Sequence, residues 1–202
     1  MIAILTGDII NSRKDKHGLW RNYLKEVLSF YGDEPQKWEI FRGDSFQLEV
    51  DVDESLRAAL LIKASIKQVK GIDVRIAIGI GDKDFTSKRI TESTGSAFIN
   101  SGECFDKLKK YSLAVKTSSS EFDEEVNLYI TLALLTINNW LPVTSKIVKT
   151  TMINSNLNQK DVAQLLNKSE STISEGLKRA GYEEIMKMEK RYRKLVSKYF
   201  SH

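Results

Sequence analysis

The chain changes its hydrophobic period once, and that change limits its architecture more than any other feature. Every segment that reads as a strand lies before the run Thr117-Ser118-Ser119-Ser120, and the segments after it read as helix. Met1 to Leu5 is an unbroken apolar run, as a strand buried on both faces requires. Leu19, Tyr23, Val27 and Phe30 recur at helical spacing, widened by Trp20, Leu24 and Leu28, until Gly32 and Pro35 stop the helix. Trp38 and Ile40, then Phe46, Leu48 and Val50, alternate with polar residues on either side of Gly43-Asp44 and predict a β-hairpin. Residues 53–70 predict an amphipathic helix ended by Gly71. Asp73 to Gly81 predicts a strand with Val74, Ile76, Ile78 and Ile80 on one side and Arg75, Ala77, Gly79 and Gly81 on the other. Gly95 to Lys110 reads as a helix and Leu113 to Lys116 as a short last strand.

The order is βαββαβ followed by αβ. It predicts an α+β fold with an antiparallel sheet, its helices on one face and the other face, poor in bulky residues, left open. Ser120 and Asp123 have the spacing of a capping box for the next helix. That helix carries Phe122, Val126, Tyr129, Ile130, Ala133, Leu134 and Ile137, apolar over much of its girth. Such a surface suits packing against a neighbouring unit or a homodimer interface through residues 121–140. The expected organisation is an α+β domain over 1–117, a linker helix over 118–141 and an all-α domain over 142–202.

Charge divides near the same place. Residues after 141 carry 12 basic and 6 acidic side chains, against 19 and 21 before. A basic final third suggests a module that meets a polyanion. The one strongly apolar stretch, Val126 to Leu141, is interrupted by Asn127, Thr131, Thr136, Asn138 and Asn139, so neither a membrane span nor a membrane partner is expected. The N-terminus lacks the positive start of a secretory signal. Cys104 is the single cysteine, and His17 and His202 are the only histidines. A cytoplasmic protein without zinc, haem or disulfides is the expectation. Cys104 reads as an inert small hydrophobe on its helix, and His17 as a surface residue.

Residues 158–182 have the pattern of a helix-turn-helix. Val162, Ala163 and Leu166 form one packed side, with Ala163 small enough for a second helix to approach closely. Asn167 and Lys168 fill the turn, Ser169 or Ser171 caps the next helix, and Ile173 and Leu177 return to the same core. The exposed residues of that second helix supply the candidate contacts to duplex DNA: Ser171, Thr172, Ser174, Lys178 and Arg179. Hydroxyls can bond base edges or phosphates, and the two cations can bind phosphate or guanine. Glu170 and Glu175 would repel phosphate, so docking must hold them off the backbone.

Two acids stand where metal chemistry would want them. Asp8 follows the first strand in TGDIINS, and Asp44 lies at the hairpin tip in FRGDSF. Two hard oxygen ligands with room for water and phosphate suit Mg²⁺ or Mn²⁺, although Asp beside Gly is also ordinary turn chemistry. Arg75, by contrast, reads as a sheet-edge residue.

The motifs TGDIINS, FRGDSFQ, VRIAIGIG and ESTGSAFINSG, followed by the helix-turn-helix, resemble those of the SatD family of bacterial proteins over nearly the whole chain. More distantly, residues 1–117 resemble the class III nucleotidyl cyclase catalytic domain, itself related to the GGDEF palm. The resemblance implies a ferredoxin-like fold in which Asp8, the Ile9 carbonyl and Asp44 hold the metal over a nucleotide's phosphates. It places Arg42, Gly43, Glu92 and Asn100 near the nucleotide. The chain departs from the cyclase pattern in three places. Ile40 stands near the purine-selecting lysine position with Arg42 as a shifted substitute, Asn100 comes one residue late, and Cys104 occupies the position of the transition-state arginine. Loss of that arginine removes a stabiliser of phosphoryl transfer. The favoured expectation is a DNA-binding regulator that senses a nucleotide or metal-phosphate ligand. The alternatives are a divergent metal-dependent nucleotidyl transferase or cyclase, and a non-catalytic interaction scaffold.

Overall fold

A computed structural model describes residues 1–109 and 111–200. Lys110, at the end of the third predicted helix, and His202 lie outside the described residues. The fold is mixed α+β. Its first part runs β1 (Ile2–Ile10), α1 (Leu19–Leu28), β2 (Trp38–Phe41), β3 (Ser45–Val50), α2 (Ser55–Ile66), β4 (Asp73–Gly81), α3 (Ser96–Lys107) and β5 (Leu113–Lys116). The rest is helical: α4 (Ser120–Ile137), α5 (Pro142–Ile153), α6 (Gln159–Leu166), α7 (Glu170–Ala180) and α8 (Tyr182–Phe200). Among the described residues no helix is long and apolar enough to cross a membrane.

The sheet has the order β2-β3-β1-β4-β5. Neighbours are antiparallel except β4 and β5, which are parallel, so the sheet is mixed rather than purely antiparallel. The parallel pair results from its connection, since α3 supplies the crossover that parallel neighbours need. On one face Ala3, Leu5, Ile9, Phe46, Leu48, Val74, Ile76 and Ile78 join the main core beneath α1 and α2. The helix α1 buries Trp20, Leu24, Val27 and Leu28, while Leu19 and Phe30 stay about half exposed. Its buried stripe is therefore centred on Leu24 and Leu28 rather than on the line from Leu19 to Phe30.

Two expectations fail here, each because a helix covers what reads as exposed. The helix α2 is shorter than expected, ending at Ile66, and buries every residue but Arg57. It lies among the sheet, α1, α5 and α8 rather than at a surface. Even Lys63 is fully buried, donating to Asp73 Oδ1 (3.0 Å), the Val74 carbonyl (3.1 Å) and Ser112 Oγ (3.0 Å). Burial lowers the pKa of its ammonium, and Asp73 opposes the shift.

The second face is not open either, because α3 lies on it. Ala97 packs with Ile4 and Ile90, Cys104 with Ala77 and Leu108, and Thr6 and Ser101 share a hydroxyl hydrogen bond of 3.0 Å. The lack of bulk on this side of β4 is what admits the helix. A Cβ on Gly79 would lie 2.1 Å from the Ser101 nitrogen, and one on Gly81 2.6 Å from the Ala97 nitrogen. Beyond α3, toward β2, the face is polar. Glu49 is paired with Lys37 and Lys83, each at 2.6 Å, and Glu39 with Arg89 and Thr91.

Ser119, one residue earlier than expected, caps α4 by accepting from the Phe122 N–H, while Asp123 accepts from the Thr117 N–H. Phe122, Val126, Ile130, Leu134 and Ile137 then run into the main core, which continues without a break through Val148 and Met152 to Tyr192 and Leu195. Leu128, Leu132 and Leu135 remain exposed on the outer side of α4.

Candidate functional site

The alternation of β1 decides what reaches the candidate cleft. Leu5 and Ile9 point into the main core, so Thr6 and Asp8 point to the face that α3 covers. Asp8 and its neighbour Arg75 stay partly exposed to solvent there. The β1–β4 register sets Asp8 opposite Arg75, and the β1–β3 register sets it opposite Ser45, beside Asp44. The Ile9 N–H donates to the Asp44 carbonyl at 3.1 Å, which pins the hairpin tip to the end of β1. Both acids line one cavity of about 640 Å³, together with Arg13, Lys14, Arg75 and Lys109. Ile9 also lines it, and because its side chain is in the core, its contribution is backbone.

Arg75 holds Asp8 through two hydrogen bonds, Nε to Oδ1 at 2.9 Å and Nη2 to Oδ2 at 2.5 Å. Its guanidinium lies 5.4 Å from the Phe105 ring centroid. Hydrogen bonding to Asp8 raises the arginine's pKa further above its usual value, against a smaller opposing effect of burial. Asp44 accepts from Ser12 Oγ at 2.6 Å. The loop carrying Ser12 starts at Asn11, whose left-handed backbone (φ 62°) turns the chain and whose side chain donates to the Gly71 carbonyl. It ends at Asp15, which accepts from the backbone N–H groups of His17 and Trp20.

A second cavity, of about 340 Å³, shares Ser12, Arg13 and Asp44 with the first and extends past Arg42 and Gly43 to Trp20. Arg21 braces it by donating to the Gly43 carbonyl at 2.6 Å. Arg42 has a left-handed backbone (φ 49°) and is exposed, whereas Ile40 packs against the core. Two carboxylates thus sit among Arg13, Lys14, Arg21, Arg42, Arg75 and Lys109. That excess of positive charge suits a polyanion. The oxygens of Asp8 and Asp44 and the Ile9 backbone are hard donors of the type Mg²⁺ and Mn²⁺ take. Among the described residues no cluster of three or more His, Cys, Asp and Glu forms, so a cation here would complete its shell with water and phosphate oxygens.

The other two expected nucleotide residues are not brought to either cavity. Asn100 turns toward the sheet and donates to the Ile80 carbonyl at 2.8 Å. Glu92 is exposed on a single 3₁₀ turn, where it accepts from Ser87 Oγ. Cys104 faces the sheet, and burial pushes its thiol up to about 12. Sequence reasoning misses the role of Arg75 and the cations Arg13, Lys14 and Lys109. Alternation puts Arg75 on the α3 side of its strand, but only the register shows Asp8 as its neighbour.

The second candidate surface is α7. A small separate cluster of Ile147, Val162, Ala163, Ile173 and Leu177 holds α5, α6 and α7 together. Asn167 adopts the left-handed conformation that ends α6, and Ser169 caps α7 by accepting from the Thr172 N–H. Gly176 fits against Ile147, whose Cδ1 lies 2.6 Å from the position of an added Cβ. Ser171, Ser174, Lys178 and Arg179 are exposed on the outer side, but Thr172 is half-buried and its hydroxyl bonds Ser169 at 2.8 Å. The C-terminal end of α7 is fixed where Trp140 Nε1 donates to the Ala180 carbonyl at 3.0 Å. No protein-family profile, curated protein or solved structure matches the chain.

Proposed function

We propose that this is a cytoplasmic DNA-binding regulator of the SatD type, with a metal-nucleotide site in a ferredoxin-like, cyclase-related first unit. In this reading α6 and α7 form the helix-turn-helix and α7 enters the major groove. The observation that carries it is the division of α7: Ile173, Gly176, Leu177 and Ala180 are buried, while Ser171, Ser174, Lys178 and Arg179 face solvent. Neither Lys178 nor Arg179 has an ion-pair partner among the described residues, so both charges are available to phosphate or guanine. Selection of the full chain against random duplex DNA should enrich one motif. Lys178→Ala/Arg179→Ala should weaken binding to it and flatten its salt dependence. Absence of any motif, or an unchanged affinity in the double variant, would refute this docking.

The cavity shared by Asp8 and Asp44 supports the nucleotide half of the proposal and keeps a second reading open, a divergent nucleotidyl transferase. That reading requires product from ATP or GTP with Mg²⁺ or Mn²⁺, lost in Asp44→Asn. The buried Cys104 at the position of the cyclase arginine weighs against it. The exposed Leu128, Leu132 and Leu135 favour a homodimer through α4, which Leu132→Asp should convert to monomer in sedimentation. A chain that is monomeric before the substitution would remove the dimer from the proposal.

A further inference from the structure

Resting on the nucleotide reading above, we propose that Arg75 makes the Asp8–Asp44 cavity selective for a cation already bound to polyphosphate, over the bare cation. Both carboxylate oxygens of Asp8 accept from Arg75, in the two-pronged geometry that makes arginine–carboxylate pairs strong. A bare divalent cation entering the cavity has to break that pair and then sit beside a guanidinium with no anion to face. Like charges at such distance, in a partly buried site, oppose binding.

A metal-polyphosphate meets a different balance. Its cation takes the Asp8 carboxylate, and its phosphate oxygens take the guanidinium, so each partner exchanges one opposite charge for another. Arginine suits this exchange because it carries five N–H donors in a planar fork that fits phosphate as well as carboxylate. The side chain is also placed to move, being 37% exposed with the face of Phe105 beside it. Asp44 does not impose the same barrier, since its partner is the neutral hydroxyl of Ser12. Arg13, Lys14 and Lys109 line the same cavity without an ion pair among the described residues, and draw the phosphates in. Arg75 is therefore a selectivity residue rather than the sheet-edge residue its alternation suggests.

The test uses the full-length protein and two probes, MnCl₂ alone and the Mn²⁺ complexes of non-hydrolysable ATP and GTP analogues. Binding is read by calorimetry and by Mn²⁺ electron paramagnetic resonance. The native chain should bind at least one analogue complex and bind bare Mn²⁺ far more weakly. Arg75→Ala should bind bare Mn²⁺ more tightly and the analogue complex more weakly, each by roughly 10–100-fold, the scale of a hydrogen bond to a charged group that is removed as a competitor in one case and as a contact in the other. Arg75→Lys, which keeps the charge but not the fork, should fall between and covers a folding failure of the alanine variant. A native chain that binds the analogue complex, with variants that leave the preference unchanged, overturns the role of Arg75. Failure of every protein to bind either probe overturns the nucleotide reading itself, and the proposal with it.

Discussion

Gly79→Ala adds a single methyl group near the C-terminal end of β4 and tests whether α3 covers the second face of the sheet. An ideal Cβ there lies 2.1 Å from the Ser101 nitrogen, 2.3 Å from the Ala97 carbonyl oxygen and 2.7 Å from the Ser101 Cα. All three atoms are helix backbone, so no side-chain rotation relieves the clash, and ordinary contact needs roughly 3.5 Å. The helix must withdraw by more than an ångström, loosening Ala97, Ser101 and Cys104 from the strands beneath. Overpacking usually costs about 1–3 kcal/mol, and a clash against backbone on this scale belongs at or above the top of that range. For a chain of this size, about 3 kcal/mol lowers the melting temperature by roughly 6–12 °C. Gly102 on the same helix is the matched control, because nothing lies within 4 Å of its added Cβ. Gly102→Ala should stabilise by about 0.5–1 kcal/mol, the ordinary gain for a helix interior. Thermal and urea melts followed by circular dichroism measure both. A Gly79→Ala protein within about 0.5 kcal/mol of the original, the scatter of an uneventful surface change, would refute the placement of α3 and with it the geometry that leaves Asp8 and Arg75 at the uncovered end of the sheet.

Buried polar groups give two further outcomes. Trp140→Phe removes the donor to the Ala180 carbonyl and should cost about 1–3 kcal/mol, with faster hydrogen exchange near the end of α7; exchange unchanged there would argue against the bond. Acid should destabilise the fold. In Glu39, Glu49 and Asp73 burial pushes the pKa up, but Thr91 with Arg89, Lys37 with Lys83, and Lys63 with Lys67 outweigh it and hold each below its ordinary value. The unfolded chain then binds more protons than the folded one near pH 4. These groups therefore stabilise fully above about pH 5 and lose that contribution as pH falls through their lowered values. Asp123 is shifted the other way by burial and offsets only part of this. Melting temperature should hold from pH 7 to about 5 and fall below about 4, less steeply in Glu49→Gln. A flat profile down to pH 3 would contradict the pairing.

How much of this fold is legible in the sequence depends on the reach of each interaction. The long alternating or apolar runs, the hairpin around Gly43-Asp44 and the Ser169 cap depend on neighbours a few residues away, and local pattern reveals them. The two sides of β4 are equally legible, yet its small side reads as bare when it is the seat of α3. Small residues signal either open space or a close neighbour, and only the tertiary fold distinguishes these. Arg75 escapes for a related reason. Its partner lies 67 positions away, and pairing them requires the register of an antiparallel ladder. Glu92 and Asn100 differ in the opposite sense: the cyclase resemblance implies that they lie near a nucleotide, whereas the chain after β4 leaves Glu92 exposed on a 3₁₀ turn and turns Asn100 toward the Ile80 carbonyl.

The relation between the two halves of the chain yields the last prediction. The sequence divides them at the serines, but α2 of the first half is covered by α5 and α8 of the second. Val148, Met152, Ile185, Leu195 and Val196 are all buried in the cluster that contains α2. At about 1.5–3 kcal/mol for each such side chain, their combined burial is worth on the order of 8–15 kcal/mol. That equals the whole net stability of a typical domain, about 5–15 kcal/mol. Polar ties reinforce the contact: Tyr192 bonds Ser55 Oγ at 2.6 Å, Arg57 donates to the Met152 carbonyl, and Lys67 to the Asn138 carbonyl. A fragment ending at Thr117 would expose the face those residues cover on α2. It should therefore lack a cooperative unfolding transition and bind hydrophobic dyes, while the full chain melts in one step. A fragment that melts cooperatively with dispersed amide resonances, or a full chain that melts in two separated steps, would show that the first half is stable alone. In that case a ligand in the Asp8–Asp44 cavity would stabilise only the first half. With a shared core, it should raise the melting temperature of both together, α7 included.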